Sequence, residues 1–237
     1  MTVFSDPPVL CGHRGSGRGH AENTLPSFRA AAAAGLPWVE VDARITADDV
    51  LVARHDPVLE DGRLVAALPA AETGLMEIAA LLDGLPAHVA LNVEIKSSLE
   101  DALRPRSRTT AALVADLLAD VDRELLVTSF DPAALLIVRE HTPALPLGLL
   151  TWTRFPLRKA VAAAAHLGVE VVTANVESFD DDAERAVRVA HEAGLEVAAW
   201  CPVADERDRL IALGVDCLVI DFSPAGEPGS SPASPPA

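Results

Sequence analysis

Short apolar runs alternate along the chain with longer stretches whose apolar residues recur at helical spacing. The runs are almost continuously apolar, which is typical of parallel strands buried on both faces, and the longer stretches are typical of helices that cover such a sheet. We predict eight strands, at residues 9–12, 38–43, 89–96, 125–129, 145–151, 169–174, 196–200 and 217–221. We predict seven helices between them, at residues 25–34, 76–82, 109–120, 132–140, 157–166, 181–193 and 205–213.

Eight strands with helices between them favour an α/β protein with a TIM (β/α)8 barrel. Alternation alone leaves an open doubly wound sheet possible, because both architectures consist of βαβ units. The spacing is regular except between predicted strands 2 and 3, where residues 45–73 indicate a small insertion with a hairpin and no clear helix. We predict no full eighth helix, since the last strand leads directly into a Pro- and Ser-rich segment.

That last segment, residues 223–237, consists of Ser, Pro, Ala, Gly and a single Glu. Such a composition offers no side chain that could anchor it to a core, so we predict a disordered tail after a single domain at residues 1–222. The first residues lack the basic and apolar regions of a signal peptide, and no apolar stretch reaches the roughly 18 residues of a membrane span. These features predict a cytoplasmic protein without stable membrane insertion, and they leave the oligomeric state open.

The chain is strongly acidic, with a formal net charge of −16 and a sequence pI of about 4.7. A nucleic-acid partner is not expected, because proteins that bind nucleic acids usually carry a basic patch. An anionic small molecule could bind only where a metal ion or nearby Arg and Lys side chains reverse the local field. The three cysteines, Cys11, Cys201 and Cys217, do not form the even, regularly spaced set of a disulfide framework.

Charged residues interrupt two of the apolar strands at alternate positions. Glu40 and Asp42 face the same side of predicted strand 2, and Asn92, Glu94 and Lys96 share a side of predicted strand 3. In a barrel these side chains would meet near the mouth, where a hard divalent cation such as Mg²⁺ or Ca²⁺ would remove the repulsion between the carboxylates. The alternative is an outward-facing set of solvated or ion-paired charges.

Two histidines lie where they could reach the same mouth. His13 and Arg14 stand between glycines at the end of predicted strand 1, and an arginine can bind a phosphate through two parallel hydrogen bonds. His55 lies in the insertion, and Asp56 either orients it or begins a turn. A pair of histidines beside a carboxylate cluster suggests general acid–base catalysis.

Asn23 and Thr24 immediately precede the first predicted helix, and either side chain could cap it. For Asn23 we favour this capping role over a direct role in chemistry. Pro26 in the first turn is consistent with a helix beginning here.

Five short motifs in residues 9–96 resemble the signature of the glycerophosphodiester phosphodiesterase family. They are His13-Arg14-Gly15, Glu22-Asn23-Thr24, Glu40-Val41-Asp42, His55-Asp56 and Glu94-Ile95-Lys96, in that order. Weaker similarity continues through residues 129–131 and Trp200 to Asp221. The resemblance implies a TIM barrel that binds one divalent cation, Mg²⁺ or Ca²⁺. The residue roles it implies are metal ligation by Glu40, Asp42 and Glu94, acid–base catalysis by His13 and His55, and substrate binding by Arg14, Lys96 and Trp200.

The implied reaction is metal-dependent hydrolysis of a small-molecule glycerophosphodiester to sn-glycerol 3-phosphate and an alcohol. The sequence departs from the family pattern at Ala21, residues 48–49, residues 201–203 and Ile220, and these departures leave the identity of the alcohol open. One alternative is a related phosphodiesterase, phospholipase C- or D-like, that acts on a lysophospholipid or phosphoinositide. Others are a metal-dependent lyase or isomerase and a non-catalytic barrel that binds a ligand.

Overall fold

Eight parallel strands close into a barrel in the computed structural model, which describes residues 2–15 and 19–221. The nine strands of the described residues are β1 (Val9–Gly12), β2 (Trp38–Ile45), β3 (Leu51–Ala53), β4 (Ala90–Ile95), β5 (Leu125–Ser129), β6 (Leu147–Leu150), β7 (Val171–Asn175), β8 (Glu196–Trp200) and β9 (Cys217–Ile220). Strand β1 closes the barrel because it pairs with β9 on one side, Gly12 opposite Ile220, and with β2 on the other, Cys11 opposite Trp38. The predicted barrel is confirmed, and the open sheet is excluded.

Seven helices cover the barrel between successive parallel strands, each within a few residues of its predicted bounds. The α-helices of the described residues are α1 (Leu25–Ala33), α2 (Ala70–Thr73), α3 (Ile78–Gly84), α4 (Thr110–Leu118), α5 (Pro132–His141), α6 (Leu157–Leu167), α7 (Ala183–Glu192) and α8 (Ala204–Ala212), of which α2 belongs to the insertion. Across the described ranges, none of these helices is long and apolar enough to cross a membrane.

The insertion after β2 is a hairpin followed by short turns. Strand β2 continues past the end of β1, and β3 pairs with this extension in antiparallel fashion, Ala43 opposite Ala53. The backbone N–H of Arg54 then donates to the carbonyl oxygen of Asp42 at 3.0 Å, which brings the chain back along the barrel mouth. Contrary to the prediction, the insertion contains the single-turn helix α2, but its hairpin is confirmed.

The barrel interior changes from apolar at the bottom to polar at the mouth. Its lower part holds a separate apolar cluster that includes Cys11 and Trp38, and the N-terminal Phe4 packs edge-on against Trp38 with ring centroids 5.3 Å apart. Glu196 accepts hydrogen bonds from the backbone N–H groups of Val3 and Phe4, which fixes this segment beneath the barrel. Polar side chains at the upper, C-terminal ends of the strands are therefore the ones available for chemistry.

Residues 222–237 lie outside the described residues, so the tail and the missing eighth helix remain predictions. We expect deletion of residues 223–237 to change the melting temperature by less than about 2 °C, since a segment that buries nothing contributes at most about 0.5 kcal/mol. Differential scanning fluorimetry of the full and shortened chains measures this. A drop of several degrees would show that the tail packs on the barrel.

Candidate active site

Three carboxylates meet inside the mouth of the barrel. Glu40 and Asp42 alternate along β2 with Val39 and Val41, which face the covering helices, and Glu94 lies directly opposite Asp42 on β4. One oxygen atom from each of Glu40, Asp42 and Glu94 lies within 4.8 Å of the other two. All three side chains are buried. The charged side chains at alternate positions of β2 therefore face the barrel interior, and the alternative of an outward-facing set of charges is excluded.

Two cationic side chains lie close to Asp42, the most buried of the three acids. Lys96 Nζ lies 3.0 Å from Asp42 Oδ1 and also contacts Glu94, while Arg14 Nε lies 3.2 Å from Asp42 Oδ2. Burial disfavours the ionised form of Asp42, but the charges of Lys96 and Arg14 outweigh it and lower the pKa of this carboxyl to about 2. Asp42 therefore keeps its charge inside the protein.

The negative charge of Glu40 is less well balanced by neighbouring groups than that of Asp42. It accepts a hydrogen bond from the backbone N–H of Arg14 at 2.9 Å through Oε2, whereas its buried Oε1 has no hydrogen-bond partner among the described residues. Burial and the neighbouring charge of Asp42 raise the pKa of Glu40 to about 8. An unpartnered carboxylate oxygen within a set of three acids is a donor arrangement that suits a hard, oxygen-binding cation such as Mg²⁺ or Ca²⁺. The residues present fit such an ion.

His13 lies directly after β1, and its backbone N–H continues the barrel pairing by donating to the carbonyl oxygen of Ile220 at 2.9 Å. Its ring Nδ1 is 2.8 Å from Oδ1 of Asp221, the residue that follows β9. Burial lowers the pKa of His13, but the hydrogen bond to Asp221 and the charge of Glu40 outweigh burial and raise the pKa above its ordinary value.

His55 approaches the same carboxylates from the insertion. Its Nδ1 is 2.8 Å from Oδ1 of Asp56. This contact is the one that Asp56 needs in order to orient the imidazole, which was one of its two predicted roles. Burial and the charge of Lys96 lower the pKa of His55, and the charge of Asp42 offsets them only in part. Each of the two histidines thus has an aspartate beside its Nδ1, but their pKa values shift in opposite directions.

Aromatic side chains form one wall of the mouth. Trp200, at the end of β8, is half-buried, and its indole N–H donates to the carbonyl oxygen of Thr151 at 3.3 Å. Its ring meets Phe130 edge-on with centroids 6.1 Å apart, and Phe130 stacks on Trp152 at 4.2 Å. Lys96 Nζ lies 5.9 Å from the centre of the Phe130 ring. The wall therefore runs from the carboxylate cluster to solvent, where Trp152 is 67% exposed.

The sequence model of the glycerophosphoryl diester phosphodiesterase family matches residues 13–225. The chain belongs to this family. It is accordingly a phosphodiesterase, and the resemblance inferred from its motifs is confirmed. A comparison with curated proteins found no significant match.

Solved structures of phosphodiesterases share the fold. A phosphodiesterase of Oleispira antarctica, in complex with the product sn-glycerol-3-phosphate, aligns with a TM-score of 0.79 and 24% identity over 91% of this chain and 94% of its own. A candidate glycerophosphoryl diester phosphodiesterase of Silicibacter pomeroyi aligns with a TM-score of 0.78 and 24% identity over 92% of each chain. The glycerophosphodiester phosphodiesterase of Thermotoga maritima gives 0.74 and 21%, over 90% and 94%.

The first motif of the phosphodiesterase forms a tight turn that depends on its glycines. Gly15 has a φ of +96°, and a Cβ atom added there would lie 2.4 Å from Oγ of Ser27 in α1. A Cβ atom on Gly12 would lie 2.3 Å from the carbonyl oxygen of Gly15. Only residues without side chains fit both positions, and the resulting turn aims the backbone N–H and the guanidinium of Arg14 at the carboxylates.

Replacing Gly15 with alanine is therefore expected to destabilise the phosphodiesterase more than the same change at Gly35. Gly35 also has a positive φ, +85°, but a Cβ atom there would meet nothing within 4 Å. The backbone strain alone costs about 1–2 kcal/mol, and only Gly15→Ala adds a steric clash and displaces Arg14. Urea unfolding gives the two free energies. Equal losses would contradict the proposed role of the close approach.

The predicted capping role of Asn23 is wrong. Thr24 is the N-cap of α1, where its side-chain oxygen accepts a hydrogen bond from the backbone N–H of Ser27 at 3.5 Å. Asn23 is buried and bonds Asp42 twice: its Nδ2 donates to Oδ2 at 2.7 Å, and its Oδ1 accepts from the backbone N–H at 3.2 Å. Because Thr24 supplies the cap, Asn23 is free to orient a carboxylate of the phosphodiesterase site.

Proposed function

We propose that the chain hydrolyses a glycerophosphodiester to sn-glycerol 3-phosphate and an alcohol, with one divalent cation, Mg²⁺ or Ca²⁺. The observation that carries this proposal is that two aspartate-paired histidines and a cluster of three buried carboxylates occupy the same barrel mouth. Membership of the family supports the reaction class. The product complex of the Oleispira antarctica relative supports the product.

Glu40, Asp42 and Glu94 would hold the cation, because their oxygens converge and the charge of Glu40 is the least compensated. When bound, the ion supplies Lewis-acid polarisation of a phosphoryl oxygen. Lys96 and Arg14 lie beside the same carboxylates and would stabilise the negative charge that develops on the phosphate. Their own contacts with Asp42 keep both cationic groups in place before a substrate binds.

His13 and His55 would share the proton transfers. One imidazole accepts the proton of the attacking oxygen, from water or from the glycerol hydroxyl of the substrate, and the other donates a proton to the departing alkoxide. Ionised Asp221 and Asp56 can only accept at Nδ1, so each neutral ring would carry its proton there and leave Nε2 as the proton acceptor. Trp200 and the aromatic wall would contact the substrate carbon skeleton.

A second candidate substrate is an amphiphile such as a lysophospholipid. Leu99 and Leu103 lie on the 3-10 turn after β4, on the same face of the barrel as the carboxylates, and are 84% and 88% exposed. Trp152 adds a third exposed apolar side chain at this face. An acyl chain that remained outside the mouth would find these residues nearby.

A substrate panel tests the proposed function. The purified chain is incubated with glycerophosphodiesters that differ in the alcohol and with lysophospholipids of the same head groups. Release of the head-group alcohol is measured for both sets, and release of glycerol phosphate for the first. We expect release of sn-glycerol 3-phosphate that stops with EDTA and returns with Mg²⁺ or Ca²⁺. A higher kcat/KM for lysophospholipids would favour the second candidate. No turnover of any diester with either ion would overturn both.

A further inference from the structure

Arg44 occupies the next inward position of β2 after Glu40 and Asp42, and its side chain is buried. Unlike the guanidinium of Arg14, that of Arg44 forms no ion pair with a carboxylate of residues 2–15 or 19–221. Instead, Nε donates to the backbone carbonyl oxygen of His55 at 2.8 Å, and Nη2 of the same group contacts the same oxygen. The strand that carries two of the three acids therefore also holds the backbone of the second histidine.

The contact lies where the insertion is otherwise weakly tied to the barrel. Strand β3 ends at Ala53, and the backbone N–H of Arg54 makes the last barrel contact before His55. The next backbone hydrogen bond, from Val65 to the carbonyl oxygen of Pro57, lies within the insertion itself. Hydrogen bonds from an ionised donor are about twice as strong as neutral ones, so Arg44 is well suited to fix this segment.

A buried arginine is a costly way to fill this position. The side chain of Arg44 is buried, and removing a charged group from water costs free energy. An apolar side chain of similar volume would avoid this desolvation cost. Packing alone therefore does not explain why a guanidinium occupies this position. Two of its nitrogens contact one carbonyl oxygen in a fixed geometry, which an apolar side chain could not do.

We propose that Arg44 is a positioning residue that sets the place of the His55 imidazole over the carboxylate cluster. This inference rests on the proposed function, in which His55 transfers a proton. Arg44 links the rigid strand β2 to a loop, so its loss would leave the metal ligands in place and let His55 move. A displacement of about 1 Å at a catalytic group can cost about 100-fold in rate.

The test uses Arg44→Met and Arg44→Lys, with Arg123→Met as the matched control. Arg123 also donates to backbone carbonyls, those of Val89, Leu82 and Leu85, but it precedes β5, at the end of the barrel opposite the mouth. We expect Arg44→Met to lower kcat by about 10–100-fold with KM changed by less than about 3-fold. Arg44→Lys, which keeps the charge and one donor group, should lose less. Arg123→Met should lower the melting temperature and leave kcat unchanged.

A double-mutant cycle separates positioning from an independent role. If Arg44 acts through His55, Arg44→Met should cost less than about 2-fold in kcat when His55 is already alanine. An equal loss in both backgrounds would overturn the proposal, since Arg44 would then act on something other than His55. An unchanged kcat in Arg44→Met alone would also overturn it.

Amide hydrogen exchange tests whether the contact between Arg44 and the His55 carbonyl oxygen fixes the loop, and it does not rely on catalysis. Exchange at residues 53–56 should become faster in Arg44→Met and stay unchanged in Arg123→Met. If His55→Ala retained normal turnover, the acid–base assignment would fail, and the exchange measurement would still decide whether Arg44 fixes the loop. Unchanged exchange at residues 53–56 would show that Arg44 does not fix this loop.

Discussion

Replacing either His13 or His55 with alanine is expected to lower kcat by about 10²–10⁴-fold, the usual contribution of a positioned acid or base. Each imidazole has an aspartate beside Nδ1 and interacts electrostatically with a carboxylate of the cluster, so each would serve one proton transfer at the phosphodiester. Both side chains are partly exposed, and their removal should leave the fold and metal binding intact. Steady-state kinetics with a glycerophosphodiester at saturating metal measures the loss.

The chemistry of the leaving group assigns the two roles. A phosphodiester with a nitrophenyl leaving group needs little proton donation, because nitrophenolate departs readily. It should therefore restore turnover in the variant that lacks the acid much more than in the variant that lacks the base. The two losses should not add fully in the double variant if the histidines serve one concerted step. His141→Ala is the control, because this histidine contacts Asp116 on the outer helices. Near-normal turnover in both alanine variants with metal bound would show that the histidines do not carry the reaction.

Strand β2 illustrates why much of the fold was predictable. Its alternation of Val39 and Val41 with Glu40 and Asp42 records which side chains face the helices and which face the interior, and this information is local. Parallel strands place their C-terminal ends at one edge, so the meeting of Glu94 with Asp42 follows from the fold class. The cluster of three acids could therefore be inferred from the sequence alone.

Other parts of the site depend on contacts between distant segments. Asn23 precedes a helix and resembles a cap, and only the position of β2 shows that it bonds Asp42 instead. Arg44 looks like an ordinary polar residue of a strand until the hairpin brings the carbonyl of His55 to its guanidinium. Asp221 was predicted only as a weak family similarity, and its contact with His13 arises because β1 and β9 pair in the closed barrel. Closure and the path of the insertion carry this information, and neither is a property of local sequence.

The second large effect is expected at the carboxylate cluster. A divalent cation present at about 100 times its dissociation constant should stabilise the protein by about 2.7 kcal/mol, which corresponds to about 5–10 °C in melting temperature for a chain of this size. Glu94→Gln keeps the shape of the side chain but removes one of three charges. We expect it to weaken binding by at least about 100-fold, since even residues that only orient ligands contribute about 10–100-fold. The same metal concentration should then raise the melting temperature by only about 1 °C.

The metal-free Glu94→Gln variant should remain folded, with a melting temperature close to that of the unchanged chain. Burial raises the pKa of Glu94, so its charge is costly in the absence of a cation, and Lys96 keeps its contact with Asp42 at 3.0 Å. Glu177→Gln is the control, because Glu177 follows β7 at the same face and pairs with Arg154. It should retain the full metal-induced shift. An undiminished shift in Glu94→Gln, together with EDTA-sensitive activity, would place the cation elsewhere and remove the basis for the three-carboxylate site.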